Sequence, residues 1–275
     1  ELSAYLTWRR QMIEWCYRIA ETCKFAKETV EISVSLLDRY VATNPMIMLD
    51  SSCYQLSCMA CLYTACKTNE PTCLSPQQME KISGCRFDNQ ALQIAEVTIL
   101  KALDWRVNPP TAIAFARNLL DSQNLSRDFG LRQKQKLAVL DAVEIQIEQA
   151  TADELFLPIR ASGIALAAVL NAVRTHLPPS RLWKLETALS QALGYELHTS
   201  YHRHQKVEKL QNALLALVAL SHGYELCPPN GCHPEDDTMM MMEEDAAMGA
   251  YETIENKSPK DSDYFRPYSP KSVTI

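Results

Sequence analysis

The sequence predicts an all-α chain: two tandem bundles of five helices followed by a disordered acidic tail. Three observations lead there. Apolar residues recur at spacings of three and four across most of residues 1–222, the period of a helix face. Only seven glycines occur in 275 residues, and the alternating β-branched runs of strands are almost missing. Breakers cut the periodic stretch into ten segments, five on either side of Asn108-Pro109-Pro110.

In chain order, the first five helices are expected at about 3–22, 28–43, 50–69, 75–84 and 88–104. The second five are expected at about 110–122, 132–151, 158–175, 179–193 and 199–221. Two sets of similar lengths, joined by Pro-Pro-Thr, suggest a structural repeat with domains over 1–108 and 109–222. A content of 47% hydrophobic residues is enough to give each its own core. From 223 to 275 the composition turns to Pro, Ser, acid and a run of four Met, which cannot bury enough apolar surface to order itself.

The charge is unevenly placed. Residues 223–275 hold eleven Asp/Glu against four Lys/Arg, so the tail carries −7 of a formal −6 and everything before it is near +1. A nearly neutral body without a basic stripe offers little grip on phosphates, and nucleic acid is not an expected partner. Eight of the ten cysteines fall within residues 16–85, mostly inside helical periodicity, and read as buried thiols of a reducing compartment. The expected location is the nucleus and cytoplasm. No apolar signal-type run opens the sequence, and the polar-poor stretch Ala161 to Val173 is too short to span a bilayer, so no membrane contact is expected.

Charges on apolar stripes are the informative residues. Leu56, Ala60, Tyr63 and Lys67 follow one face of the third helix, so that stripe ends in an ammonium. Leu92, Glu96, Ile99 and Leu103 follow one face of the fifth, which puts a carboxylate in mid-stripe. A buried unpaired charge costs several kcal/mol, roughly, so each needs a partner. Either Lys67 and Glu96 pair within the chain, or they stand together at the surface and bind an external backbone or charge. Arg9, in line with Ile13, Cys16 and Ala20, and Asp38, between Val34 and Val41, read most economically as an internal bridge between the first two helices. The first helix is apolar over more than half its circumference, with Tyr5, Trp8, Met12, Trp15 and Ile19 in one row. It is either sandwiched in a core or leaves a row exposed as a docking groove.

These residues add up to a resemblance. Residues 8–22, opening Trp8-Arg9-Arg10-Gln11-Met12, resemble the first helix of the cyclin box. Leu36-Leu37-Asp38-Arg39-Tyr40 is similar to its second-helix motif, and Leu56 followed by Ala65-Cys66-Lys67-Thr68-Asn69 to its third helix. Ala95 to Trp105, then Pro110-Thr111, resembles the fifth helix and the crossing into a second box. The five signature positions of that family are matched by Arg9, Asp38, Leu56, Lys67 and Glu96. The likeness covers residues 3–111 closely and 112–222 in helical outline, with Phe156-Leu157-Pro158 resembling the start of the second box's third helix.

The resemblance implies two cyclin boxes and a regulatory subunit that binds and activates a cyclin-dependent protein kinase in cell-cycle control, leaning toward the G1, D-type kind. It implies that Lys67 and Glu96, with Leu56, lie on the kinase-facing surface, and that Arg9 and Asp38 bridge internally. It further implies that substrates or inhibitors dock on the first-helix row of Trp8, Gln11, Met12 and Trp15. There, however, Gln11 and Arg18 make the row more polar and reverse one charge relative to family members that dock peptides. The rival readings are a transcriptional cyclin, a cyclin-box transcription factor of the B type, and a helical adaptor that binds no kinase.

Other motifs are weak. His198 and His202 stand at i, i+4 with His204 nearby but have no third ligand of suitable spacing, Cys58-x-x-Cys61 lies inside a helix, and Cys227 with Cys232-His233 has too few partners for zinc, so no metal is expected. No phosphate-cradling or nucleophile motif is present, and neither catalysis nor a cofactor is expected. In the tail, Ser258-Pro259-Lys260 and Ser269-Pro270-Lys271 fit targets of proline-directed kinases. The tail reads either as a modified, degradation-promoting segment or as an inert solubilising one.

Overall fold

A computed structural model describes residues 2–122, 131–174, 177, 179–192 and 201–223. Among them are ten α-helices and no strand: α1 (Leu2–Thr22), α2 (Lys27–Thr43), α3 (Ser51–Asn69), α4 (Pro76–Ile82), α5 (Asn89–Ala102), α6 (Ala112–Ser122), α7 (Gln133–Ala152), α8 (Ala161–Val173), α9 (Pro179–Ala192) and α10 (Tyr201–Gly223). Each expected helix is found with its ends displaced by three residues or fewer. Two 3₁₀ turns, Pro45–Leu49 and Glu154–Phe156, were not foreseen. The second explains why α8 starts at Ala161 rather than 158. Phe156 is drawn into the core, Ile159 N–H turns back to its carbonyl, and Arg160 is the extended residue before the helix. The tail beyond 223, with Ser258, Ser269, Cys227 and Cys232-His233, lies outside the described residues, as do His198 and the side chains of His202 and His204. No described helix is long and apolar enough to cross a membrane.

Helix starts follow local chemistry. Asp50 accepts from the N–H groups of Ser52 and Cys53 to open α3, Asp88 accepts from Ala91 to open α5, and Ser75 with Gln78 closes a reciprocal capping box on α4. Gly84 and Cys85, both left-handed at φ 64° and 57°, reverse the chain after α4.

Each half is organised around its third helix. Nearly every residue of α3 from Tyr54 to Cys66 is buried, as is every residue of α8 from Ala165 to Val173. Somewhat more than half of each is Ala, Cys, Ser, Thr or Gly, and these small residues let neighbouring helices close in. Two hydrophobic clusters result, one running from Tyr5 to Leu103 and the other from Ala112 to Leu214. Inside the second, Asn171 Nδ2 donates to Gln146 Oε1 (2.9 Å) and to Gln211 O (3.0 Å), and Gln211 Nε2 returns a bond to Asn171 Oδ1 (3.2 Å). That network ties α7, α8 and α10 together.

The seam between the halves is polar. Glu31 accepts the N–H groups of Ala112 and Ile113 at the start of α6, and Glu28 accepts from Thr111 Oγ1 (2.8 Å) and Arg117 (2.7 Å). Arg117 also reaches Glu144 (3.1 Å), and Lys27 reaches Glu148 (2.6 Å). These bonds fix α6 and α7 against α2.

Candidate partner-binding face

The third-helix stripe is closed in the middle and open at its ends. Ala60 and Tyr63 are buried, Leu56 is half-buried, and Lys67, eleven residues and about 16 Å farther along the axis, emerges at the last turn. Its ammonium sits over the Tyr63 ring, 4.4 Å from the centroid, and forms an ion pair with Glu96 Oε1 of α5. The Lys67 side chain is 36% exposed and that of Glu96 10%. Thr64, one turn before Lys67, donates its hydroxyl to the same Oε1 (3.1 Å) and to Ala60 O (2.9 Å). Burial, and then the Glu96 charge, raise the Tyr63 pKa above the ordinary phenol value.

The two readings of Lys67 and Glu96 are therefore not exclusive: the residues pair with each other, and they do so at the surface. Among the described residues, Glu96 Oε2 has no hydrogen-bond partner, and the Lys67 ammonium meets no acceptor besides Glu96 and the Tyr63 ring. An acceptor and a donor so placed, held by Thr64 and the Tyr63 ring, can receive an N–H and a C=O of a neighbouring backbone at little further ordering cost. Sequence reasoning missed three neighbours. Thr64 was visible as the polar residue one turn before Lys67. Ile94 and Val97 of α5 are 60% and 43% exposed on a face away from the Leu92, Ile99 and Leu103 stripe, and two aliphatics off the buried stripe were the available signal.

Arg9 and Asp38 form the internal fork. Arg9 Nε donates to Asp38 Oδ1 (2.9 Å) and its terminal nitrogen to Oδ2 (2.8 Å), while the other terminal nitrogen donates to Ala152 O of α7 (3.2 Å). Burial is the largest influence and opposes the guanidinium charge, but the Asp38 bonds and charge together with the nearby Tyr54 and Tyr5 outweigh it and leave the Arg9 pKa above its ordinary value. In the first-helix row, Met12 and Trp15 are core residues at 2% and 4% exposure, Trp8 is half-buried against the same core, and Gln11 is half-buried. α1 is packed by α2, α3 and α7, and Trp8 and Gln11 are the partly exposed members of the row. Cys58 and Cys61 are free thiols inside the first core, with Cys16 Sγ 3.6 Å from Cys58 Sγ.

Comparison with known proteins follows the same outline. A family model described as "Cyclin, N-terminal domain" matches residues 3–108. Over 169 residues the chain is 25% identical to Cyclin-D3-3 of Arabidopsis thaliana, covering 60% of this chain and 45% of that protein. Over 170 residues it is 31% identical to Cyclin-D1-1 of Oryza sativa subsp. japonica, covering 59% and 43%. The match thus spans less than half the length of these curated relatives, yet is longer than the N-terminal domain alone. In fold, the chain is similar to a viral cyclin from herpesvirus saimiri, with a TM-score of 0.56 and 18% identity over 78% of this chain and 88% of that one.

Proposed function

Because the chain belongs to the cyclin family, we propose that it is a regulatory subunit that binds a cyclin-dependent protein kinase and switches it on. The observation that carries this reading is the Lys67–Glu96 pair, held at the surface with unused donor and acceptor capacity. Such a pair suits a helix of the kinase, whose register it would fix through backbone bonds. The rigid bundle behind it would hold that helix in the position in which the kinase's own catalytic groups assemble. The effect is a population shift, and the phosphoryl transfer belongs to the partner. Several of the relatives are named as D-type cyclins, which supports a role in G1 control. The reading places the protein in the nucleus and cytoplasm.

The test is retention of a kinase from a lysate of the protein's own cells, identified by mass spectrometry, by the parent chain and by Lys67→Ala/Glu96→Ala. Each single change is expected to weaken binding by about 1–3 kcal/mol. Thermal melting of the variants separates this from lost fold, because Lys67→Ala leaves the mostly buried Glu96 with Thr64 alone and costs some stability itself. A kinase bound equally by parent and double variant would show the face to be misplaced, and no kinase in either would favour the adaptor reading.

A further inference from the structure

Between the two halves lies a cleft of 720 Å³ that plays no part in the kinase-binding proposal. Its apolar lining includes Val34, Phe115, Leu157 and Ile159, the last two exposed aliphatics. Four arginines and two acidic residues line it as well. Arg9 and Asp38 satisfy each other, and Glu31 is engaged by the N–H groups of Ala112 and Ile113. Arg39, Arg106 and Arg160 remain, and among the described residues none of them has a carboxylate partner; the bond Arg39 makes is to the carbonyl of Arg106 (2.8 Å). An apolar trough edged by three unneutralised guanidiniums is complementary to a segment in which apolar side chains are flanked by acids.

The chain contains such a segment. Residues 235–245 read Glu-Asp-Asp-Thr, four Met, Glu-Glu-Asp, with three acids on either side of the apolar run. Met side chains are unbranched and adapt to irregular apolar surfaces. Glu235 follows the end of α10 by twelve residues, a reach of up to about 40 Å when extended. The body is near +1 and the tail −7, so a second copy of the body offers the cleft no comparable attraction, whereas the acidic segment is tethered to the same chain, which raises its effective concentration at any site its linker can span. We propose that the cleft between the two halves is the docking site of the chain's own acidic, methionine-rich segment 235–245. Docked there, the segment is withdrawn from other partners.

The experiment is hydrogen exchange on the full-length chain, read over 157–164 and 235–245. Four forms are compared: the parent, Arg106→Glu/Arg160→Glu, Glu243→Lys/Glu244→Lys/Asp245→Lys, and all five changes together. Either partial reversal should speed exchange in both segments by about tenfold, as should 1 M NaCl in the parent, while the combined charge swap restores protection. Exchange in 157–164 that ignores the tail reversal overturns the proposal. So does protection that rises with protein concentration, which would assign the cleft to a second copy. Loss of protection across both cores would mark a variant as unfolded; the single change Arg160→Gln, at an exposed position, then gives the same reading with a smaller shift.

Discussion

The fork between Arg9 and Asp38 allows the sharpest test of how the first box is held together. Arg9 is 3% exposed and Asp38 23%, so the two ends of the pair are unequally buried. Asp38→Ala removes both carboxylate bonds and leaves a guanidinium in the core with the Ala152 carbonyl alone. Removing one partner of a buried pair costs about 3–5 kcal/mol. The open side at Asp38 admits water to the freed charge, so the expected loss is about 2–4 kcal/mol. Arg9→Met removes the buried charge itself and strands only the better-solvated carboxylate, for about 1–2 kcal/mol. With Arg9→Met/Asp38→Leu no charge is left behind, and the double variant should be less damaged than the sum of the singles by at least about 1.5 kcal/mol. Urea unfolding followed by circular dichroism gives all four corners of the cycle. A loss under about 0.5 kcal/mol for Asp38→Ala, or strict additivity, would mean that the fork contributes nothing beyond the packing of its two stems.

Three further outcomes are expected. Burial outweighs the two amide bonds and raises the Glu31 pKa to about 7, from 4.5 in a free chain. The folded state therefore holds this proton where the unfolded chain has lost it; the stability so gained is full below pH 4.5 and drains away as pH rises through about 7. Glu31→Gln should flatten the fall in melting temperature between pH 5 and 7.5 relative to the parent, and equal slopes would refute it. The Tyr54 hydroxyl is fully buried and has no hydrogen-bond partner among the described residues, so Tyr54→Phe should leave stability unchanged or raise it by up to about 1 kcal/mol, read as the melting temperature. Asn171→Ala breaks the link among Gln146, Asn171 and Gln211 and should cost about 2–4 kcal/mol in chemical denaturation.

How far the sequence was legible follows from which contacts are local. All ten helices could be found because caps such as Asp50, Ser75 and Asp88, the Pro-Pro joint and the 3.6-residue period act within a few positions. The paired roles of Arg9 with Asp38 were legible because a charge on an apolar stripe requires a partner and one candidate lay on the next helix. The seam was not legible. Glu28 and Glu31 lie about 80 residues from Thr111, Ala112 and Arg117, on helix faces whose polarity reads as ordinary solvated surface. The Gln146, Asn171 and Gln211 network was hidden likewise, because each residue alone interrupts an apolar face without revealing what it meets.

Lys67 and Glu96 show a different limit. Sequence patterning offered internal pairing and surface display as alternatives, yet the geometry supplies both at once. The helix end that exposes Lys67 also sets its ammonium over the Tyr63 ring, and the burial that holds Glu96 still leaves Oε2 unpaired among the described residues. A pair satisfied enough to stay ordered and incomplete enough to bind has its rotamers fixed before a partner arrives, so less entropy is lost on binding. It follows that Thr64→Val, which touches neither the ammonium nor the outer face, should weaken partner binding by about threefold to tenfold through a loosened Glu96, with little change in melting temperature. Unchanged affinity in that variant would mean that the pair is ordered by the partner, and that the preorganisation seen here does no work.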